Sequence, residues 1–140
     1  MRLLFLDRST KLMTVHDLKT RARGGMVTSL FRLSDALAEK GHDVQVVADI
    51  ENAGRTDIGT WWQPWGQFDP REERWDVLIC NRGVDDGHPL IRVKHRVLWT
   101  HDLPHNGFLE EPRTIKAFSA TVFMSQYAED IWGVKPCPIP

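Results

Sequence analysis

GGMVTSLFRLSDALAEKGHDVQVVA, spanning Gly24–Ala48, changes its hydrophobic period in mid-course. In its first part Val27, Leu30, Phe31, Ser34, Leu37 and Ala38 recur at helical spacing, which predicts one buried face on a helix from about Met26 to Lys40. Gly41 follows as a residue able to take the left-handed conformation that ends a helix. Asp43 to Ala48 (Asp-Val-Gln-Val-Val-Ala) then predicts a strand. An amphipathic helix feeding such a strand through a Gly-His-Asp turn is the second half of a β–α–β unit.

The first half lies upstream. Leu3 to Leu6, closed by Asp7, is a continuous apolar run that predicts a first strand buried on both faces; from Arg8 to Arg23 the chain is polar and basic. A helix between two strands returns the chain so that they run parallel. The helix start carries the pair Gly24-Gly25. Unpaired backbone N–H groups and the positive end of the helix dipole face such a turn, which makes it a natural anion site. Adjacent glycines let a ligand come close, with no Cβ in the way and φ unrestricted, although a tight ligand-free loop would use them equally.

Downstream, residues 49 to 74 offer glycine, proline and tryptophan rather than a period, with Thr60 to Trp65 the best short strand. Trp75 to Cys80 predicts a strong strand ending at Asn81-Arg82-Gly83. Residues 84 to 94 leave room for one helical turn; Arg96 to Thr100 and Ala120 to Met124 predict further strands; Ser125 is placed to cap a helix from Gln126 to Trp132. The alternation predicts an α/β fold with an open, mostly parallel, doubly wound Rossmann-like sheet, in one domain over residues 1–140. Ligands of such sheets bind outside the carboxyl ends of the strands. The candidate rim is therefore the loop from Arg8 to Gly25 and the turns at Asn81-Arg82-Gly83, Thr100-His101-Asp102 and Ser125-Gln126.

Composition narrows the function classes. The chain is 41% hydrophobic and 26% charged with a formal net charge of -1, which argues against a generic nucleic-acid binder and makes any anion site local. Cys80 and Cys137 are too few and too far apart for a disulfide framework or a zinc site, which fits a reduced, cytoplasmic protein. The opening apolar run is far too short for a membrane span or a signal segment and is broken at Asp7. Of six tryptophans, Trp61, Trp62, Trp65 and Trp75 crowd one segment, either closing a sheet edge or offering a face to a sugar ring. His101 and His105 do not make a metal pair, because Pro104 denies the helix that would put them on one face.

The glycine pair, the stretch Ala36-Leu37-Ala38-Glu39-Lys40-Gly41-His42-Asp43-Val44, the strand into Thr100-His101-Asp102, the strand into Ser125 with Tyr127 behind it, and Pro138-Ile139-Pro140 have a common counterpart. Together they resemble the amino-terminal half of the retaining, nucleotide-sugar-dependent glycosyltransferases of the GT-B fold, the large group often called family four. The resemblance implies that Gly24 and Gly25 touch the diphosphate of a nucleotide-sugar donor. It implies that His101 faces the transferred sugar while Asp102 orients its turn. The nucleoside pocket would belong to a carboxy-terminal partner domain, beyond a proline-rich exit at Lys135 to Pro140 that reads as a linker. No metal or other cofactor is expected, and the chain by itself would turn over little or nothing.

Other rim residues keep two readings. Arg8, Lys11, Lys19, Arg21 and Arg23 suit an anionic acceptor, or simply a solvated face, and leave peripheral membrane contact open. Arg82 could bind a phosphate or carboxylate, or cover a tryptophan. Ser125 is first a helix cap and secondarily an acceptor contact. Two rival classes remain: a non-catalytic module recognising a saccharide or protein partner, and a small flavodoxin-like nucleotide-binding protein.

Overall fold

The computed structural model describes residues 1–8, 14–20, 24–81, 90–101, 118–127 and 130. They form a seven-stranded sheet from β1 (Arg2–Asp7), β2 (Asp43–Ala48), β3 (Gly54–Arg55), β4 (Trp61–Pro64), β5 (Arg74–Asn81), β6 (Arg92–Thr100) and β7 (Ala120–Phe123). The spatial order is β3-β4-β2-β1-β5-β6-β7, and every neighbouring pair is parallel except β3 with β4. From β1 the chain builds outward to one side through β2 and β4, then returns to the other side of β1 with β5. The strand order therefore reverses between β1 and β5, where the two strands begin crossovers in opposite directions. This is the α/β architecture expected.

The α-helices whose bounds are described are α1 (Val15–Thr20) and α2 (Gly25–Glu39). Helix α2 falls within a residue of its predicted bounds, because a run free of internal glycine and proline carries a strict apolar stripe. Leu30 and Ser34 are fully buried on that stripe, and the Ser34 hydroxyl satisfies itself on the Phe31 carbonyl at 2.9 Å. The C-terminus closes as a Schellman motif: His42 N–H donates to Leu37 O at 3.2 Å and Gly41 N–H to Ala38 O at 2.9 Å, with Gly41 at φ +83°.

Alternation along the strands divides the core. Leu3, Phe5, Val44, Val46, Trp62 and Trp99 pack with Leu30 of α2 on one face, where Val15 of α1 also packs. Leu4, Leu6, Val47, Leu78, Cys80 and Leu98 form the other, to which neither α1 nor α2 contributes; Trp65, Phe68, Val93 and Phe118 pack against it instead. Arg2 ties together the amino ends of the strands. It pairs with Asp43 at 3.0 Å and with Glu73, bonds Arg74 O at 3.2 Å, and lies 4.6 Å from the centroid of Trp75.

Several local expectations are corrected. The basic loop contains α1, which starts on a reciprocal cap: Asp17 N–H donates to Thr14 Oγ1 and Thr14 N–H to Asp17 Oδ2, each at 3.1 Å. Strand β6 begins at Arg92 rather than Arg96, its early residues extended by pairing with Arg74 and Trp75. The strand placed at Thr60 to Trp65 is Trp61–Pro64, after which Trp65–Gln67 turn as a 3₁₀ helix. The tryptophans divide: Trp62 is wholly buried, and Trp65 reaches across to β1.

Candidate functional site at the carboxyl edge of the sheet

Parallel pairing brings the carboxyl ends of β1, β2, β4, β5, β6 and β7 to a single edge. Asp7 is in register with Asn81, Asn81 with Trp99, and Trp99 with Val122. In-register side chains of a parallel sheet point the same way, and Phe5 and Ile79, two residues earlier, pack under α2. The row Asp7, Asn81 and Trp99 therefore faces the α2 side at the last level of the sheet. Asp7 and Asn81 are 1% and 4% exposed, and Asn81 Nδ2 donates to Asp7 Oδ1 at 3.1 Å. The backbone carbonyl of Asp7 accepts from Trp65 Nε1 at 3.1 Å, and the Arg8 guanidinium sits 4.6 Å from the Trp65 ring centroid.

The N-terminus of α2 comes to this edge. Its C-terminus enters β2 through a short turn, so the helix runs opposite to the strand. Fifteen helical residues rise ~22 Å, and the six residues of β2 rise ~20 Å; the first turn of α2 is thus level with the strand ends. Gly24 is its N-cap, with no side-chain cap and no acidic residue in the first turn. Among the described residues, a Cβ built at Gly24 or Gly25 meets nothing within 4 Å, and both residues are exposed. Neither needs positive φ, since among the described glycines only Gly41 and Gly59 have it and Gly24 is at φ -55°. What the pair provides is a helix end without side chains at its N-cap and first position. The Ser29 hydroxyl folds back onto Gly25 O at 2.8 Å, away from the amides.

His101 directly follows β6 at this edge. It is half-buried, with its ring centroid 4.6 Å from that of Trp99 and the planes at 46°. Ser125 is exposed just past β7; Gln126, Tyr127 and Asp130 are helical, and Gln126 Nε2 donates to Asp130 Oδ1 at 3.0 Å. Arg23, Arg82 and Asp102 lie outside the described residues, as do Lys11, Arg21, Cys137 and the proline-rich exit. Asp7 is a site residue that the sequence reading does not name, and Trp65, one of the tryptophans it offers to a sheet edge or a sugar ring, is placed here by its bond to Asp7. A carboxylate ending a buried apolar strand is the signal for the first; the second depends on a contact between residues 58 apart.

Among the described residues, no group of three or more His, Cys, Asp and Glu is placed to hold a metal ion, and no helix is long and apolar enough to cross a membrane. A polar hollow lined by Gln45, Trp61, Gln63 and Asp69 belongs to the opposite face, since Gln45 points away from the Val44 and Val46 side of β2. No protein-family model, curated protein or solved structure matches the chain.

Proposed function

We propose that this chain is a Rossmann-like, doubly wound domain from the acceptor side of a retaining GT-B glycosyltransferase, working with a second domain that holds the nucleoside of a nucleotide-sugar donor. The observation that carries the reading is the bare, glycine-flanked N-terminus of α2 at the carboxyl edge, beside the β1–β5 reversal. Open α/β sheets bind ligands at such a reversal. When the glycosidic bond to a diphosphate breaks, negative charge grows on the leaving oxygens, and helix amides with no competing side chain are positioned to receive it. His101 stands at the same edge, its ring held against Trp99, and by resemblance it would face the transferred sugar. The motifs from Gly24 to Val44 and around His101 give the same assignment by resemblance.

Titration of the isotope-labelled chain with UDP-glucose, GDP-mannose and ADP-glucose tests this. The amides of Gly24, Gly25 and Met26 should shift in a saturable way with at least one of them. Unmoved amides at millimolar concentrations of all would refute the assignment, and so would rapid sugar transfer by the chain alone.

A further inference from the structure

The row at the strand ends contains a polar atom that neither the fold nor the glycine turn uses. Asn81 Oδ1 is buried and has no hydrogen-bond partner among the described residues. Its orientation is chemically fixed: the Nδ2 group must face the Asp7 carboxylate at 3.1 Å, because the reversed amide would set two acceptors against each other. The carbonyl oxygen is thereby turned away from Asp7, on the α2 side of the last row of the sheet. An interior acceptor with no donor is costly to keep, and such groups in native proteins call for an explanation. The bond to Asp7 uses only the Nδ2 end of the side chain, and the β1–β5 and β5–β6 ladders are made by the backbone, so neither employs this oxygen.

We infer that Asn81 is a ligand-binding residue that accepts a hydrogen bond from a hydroxyl group of a polyhydroxylated ligand, with Asp7 as the positioning residue that holds its amide. This deepens the glycosyltransferase reading and rests on it for the location of the anionic part of the ligand. The two parts of this edge have opposite demands. Bare helix amides offer donors and positive potential, which suits phosphate oxygens. The Asp7–Asn81 pair offers an acceptor oxygen beside a carboxylate, which repels an anion and suits an O–H donor. A sugar phosphate satisfies both, with its phosphate toward α2 and a ring hydroxyl toward Asn81. A ligand lacking the hydroxyl leaves the buried oxygen unmade and is discriminated against.

The test compares glucose 1-phosphate, inorganic phosphate and the neutral polyol 1,5-anhydroglucitol as probes of the full labelled chain. Glucose 1-phosphate should shift the side-chain amide signals of Asn81 together with the backbone amides of Gly24 and Gly25, whereas phosphate should shift only the glycines. In Asn81→Ala the dissociation constant for glucose 1-phosphate should rise about five- to tenfold with that for phosphate unchanged. Asn81 signals that ignore glucose 1-phosphate, or that answer phosphate equally, overturn the inference; should the variant not fold, the wild-type titration decides. Silent glycines with an Asn81 that answers the sugar phosphate or the polyol would refute the diphosphate reading and leave the hydroxyl contact standing. Responsive glycines with a silent Asn81 would do the reverse.

Discussion

Asn81 and Asp7, 74 residues apart in sequence, share a buried 3.1 Å hydrogen bond across the strands where the sheet reverses its order. The bond joins the ends of the two strands from which the chain departs in opposite directions, so it closes the sheet at the point least held by local connections. Both partners are almost wholly removed from water. A carboxylate in such a place depends on its donors.

Truncating that donor should therefore destabilise the fold more than its size suggests. Asn81→Ala is expected to cost about 1–3 kcal/mol, from the loss of one donor to a buried carboxylate. The double variant Asp7→Ala with Asn81→Ala should cost less than the sum of the singles. Urea unfolding of the four proteins measures the coupling, and strict additivity would show that the contact contributes nothing.

Asp35 plays a comparable part at the other end of the sheet. Its Oδ1 accepts from the hydroxyls of Thr56 and Thr60, each at 2.6 Å, and so ties α2 to the β3–β4 turn. Both threonines are buried. Asp35→Ala should lower stability by about 2 kcal/mol, while Asp35→Asn, which keeps an acceptor, should lose less than half of that. Equal losses in chemical denaturation would rule out the double acceptor as the cause.

What was legible in the sequence follows from how local each signal is. Helix α2 and strands β1, β2 and β5 were readable because their periods are strong and their ends punctuated, as at Gly41. Helix α1 was missed because only six residues support it, although Thr14 and Asp17 spell a reciprocal cap. The two-residue β3 exists only by pairing with β4, and no period can announce it. The glycine turn and His101 could be placed at the edge from the strand ends alone. The row of Asp7, Asn81 and Trp99 could not, because it depends on the register of three strands.

Charge at the amino edge gives a pH prediction. The Asp76 carboxyl is held below its ordinary value, first by its hydrogen bond from Lys94 and next by the backbone N–H of Arg2. A carboxyl lowered in the folded state contributes stability that is present above its unfolded pKa and lost as pH falls through the folded one. The Asp76 midpoint, followed by carboxyl carbon NMR, should therefore lie below that of an exposed aspartate. Lys94→Met should move it up part of the way, the Arg2 bond remaining. An unmoved midpoint would remove Lys94 as the main cause.

Trp62 presents the opposite case, a donor with nothing to bond. It is fully buried against Phe31, ring centroids 6.2 Å apart, and its Nε1 has no hydrogen-bond partner among the described residues. Trp62→Phe removes that orphaned N–H along with part of the ring, so the two effects offset and stability should stay within about 1 kcal/mol of wild type. Trp62→Ala should cost about 3–5 kcal/mol from the cavity alone. A phenylalanine variant as unstable as the alanine one would mean that the indole N–H is satisfied after all.

The glycines separate conformation from function. Gly41 lies at φ +83°, so Gly41→Ala should cost about 1–2 kcal/mol whatever room the methyl finds. Gly24 and Gly25 have no such need, and a methyl at either meets nothing within 4 Å among the described residues. Gly25 opens a helix, where alanine is favoured over glycine by up to ~1 kcal/mol, so Gly25→Ala should leave the thermal midpoint unchanged or raise it. The same methyl occupies space that a phosphate oxygen needs to reach the helix amides. Gly24→Ala and Gly25→Ala should therefore weaken inorganic phosphate binding while sparing stability, as read by titration and thermal melts on the same samples. Undiminished phosphate binding in both variants would leave the pair as a plain helix entry, with no claim on a ligand.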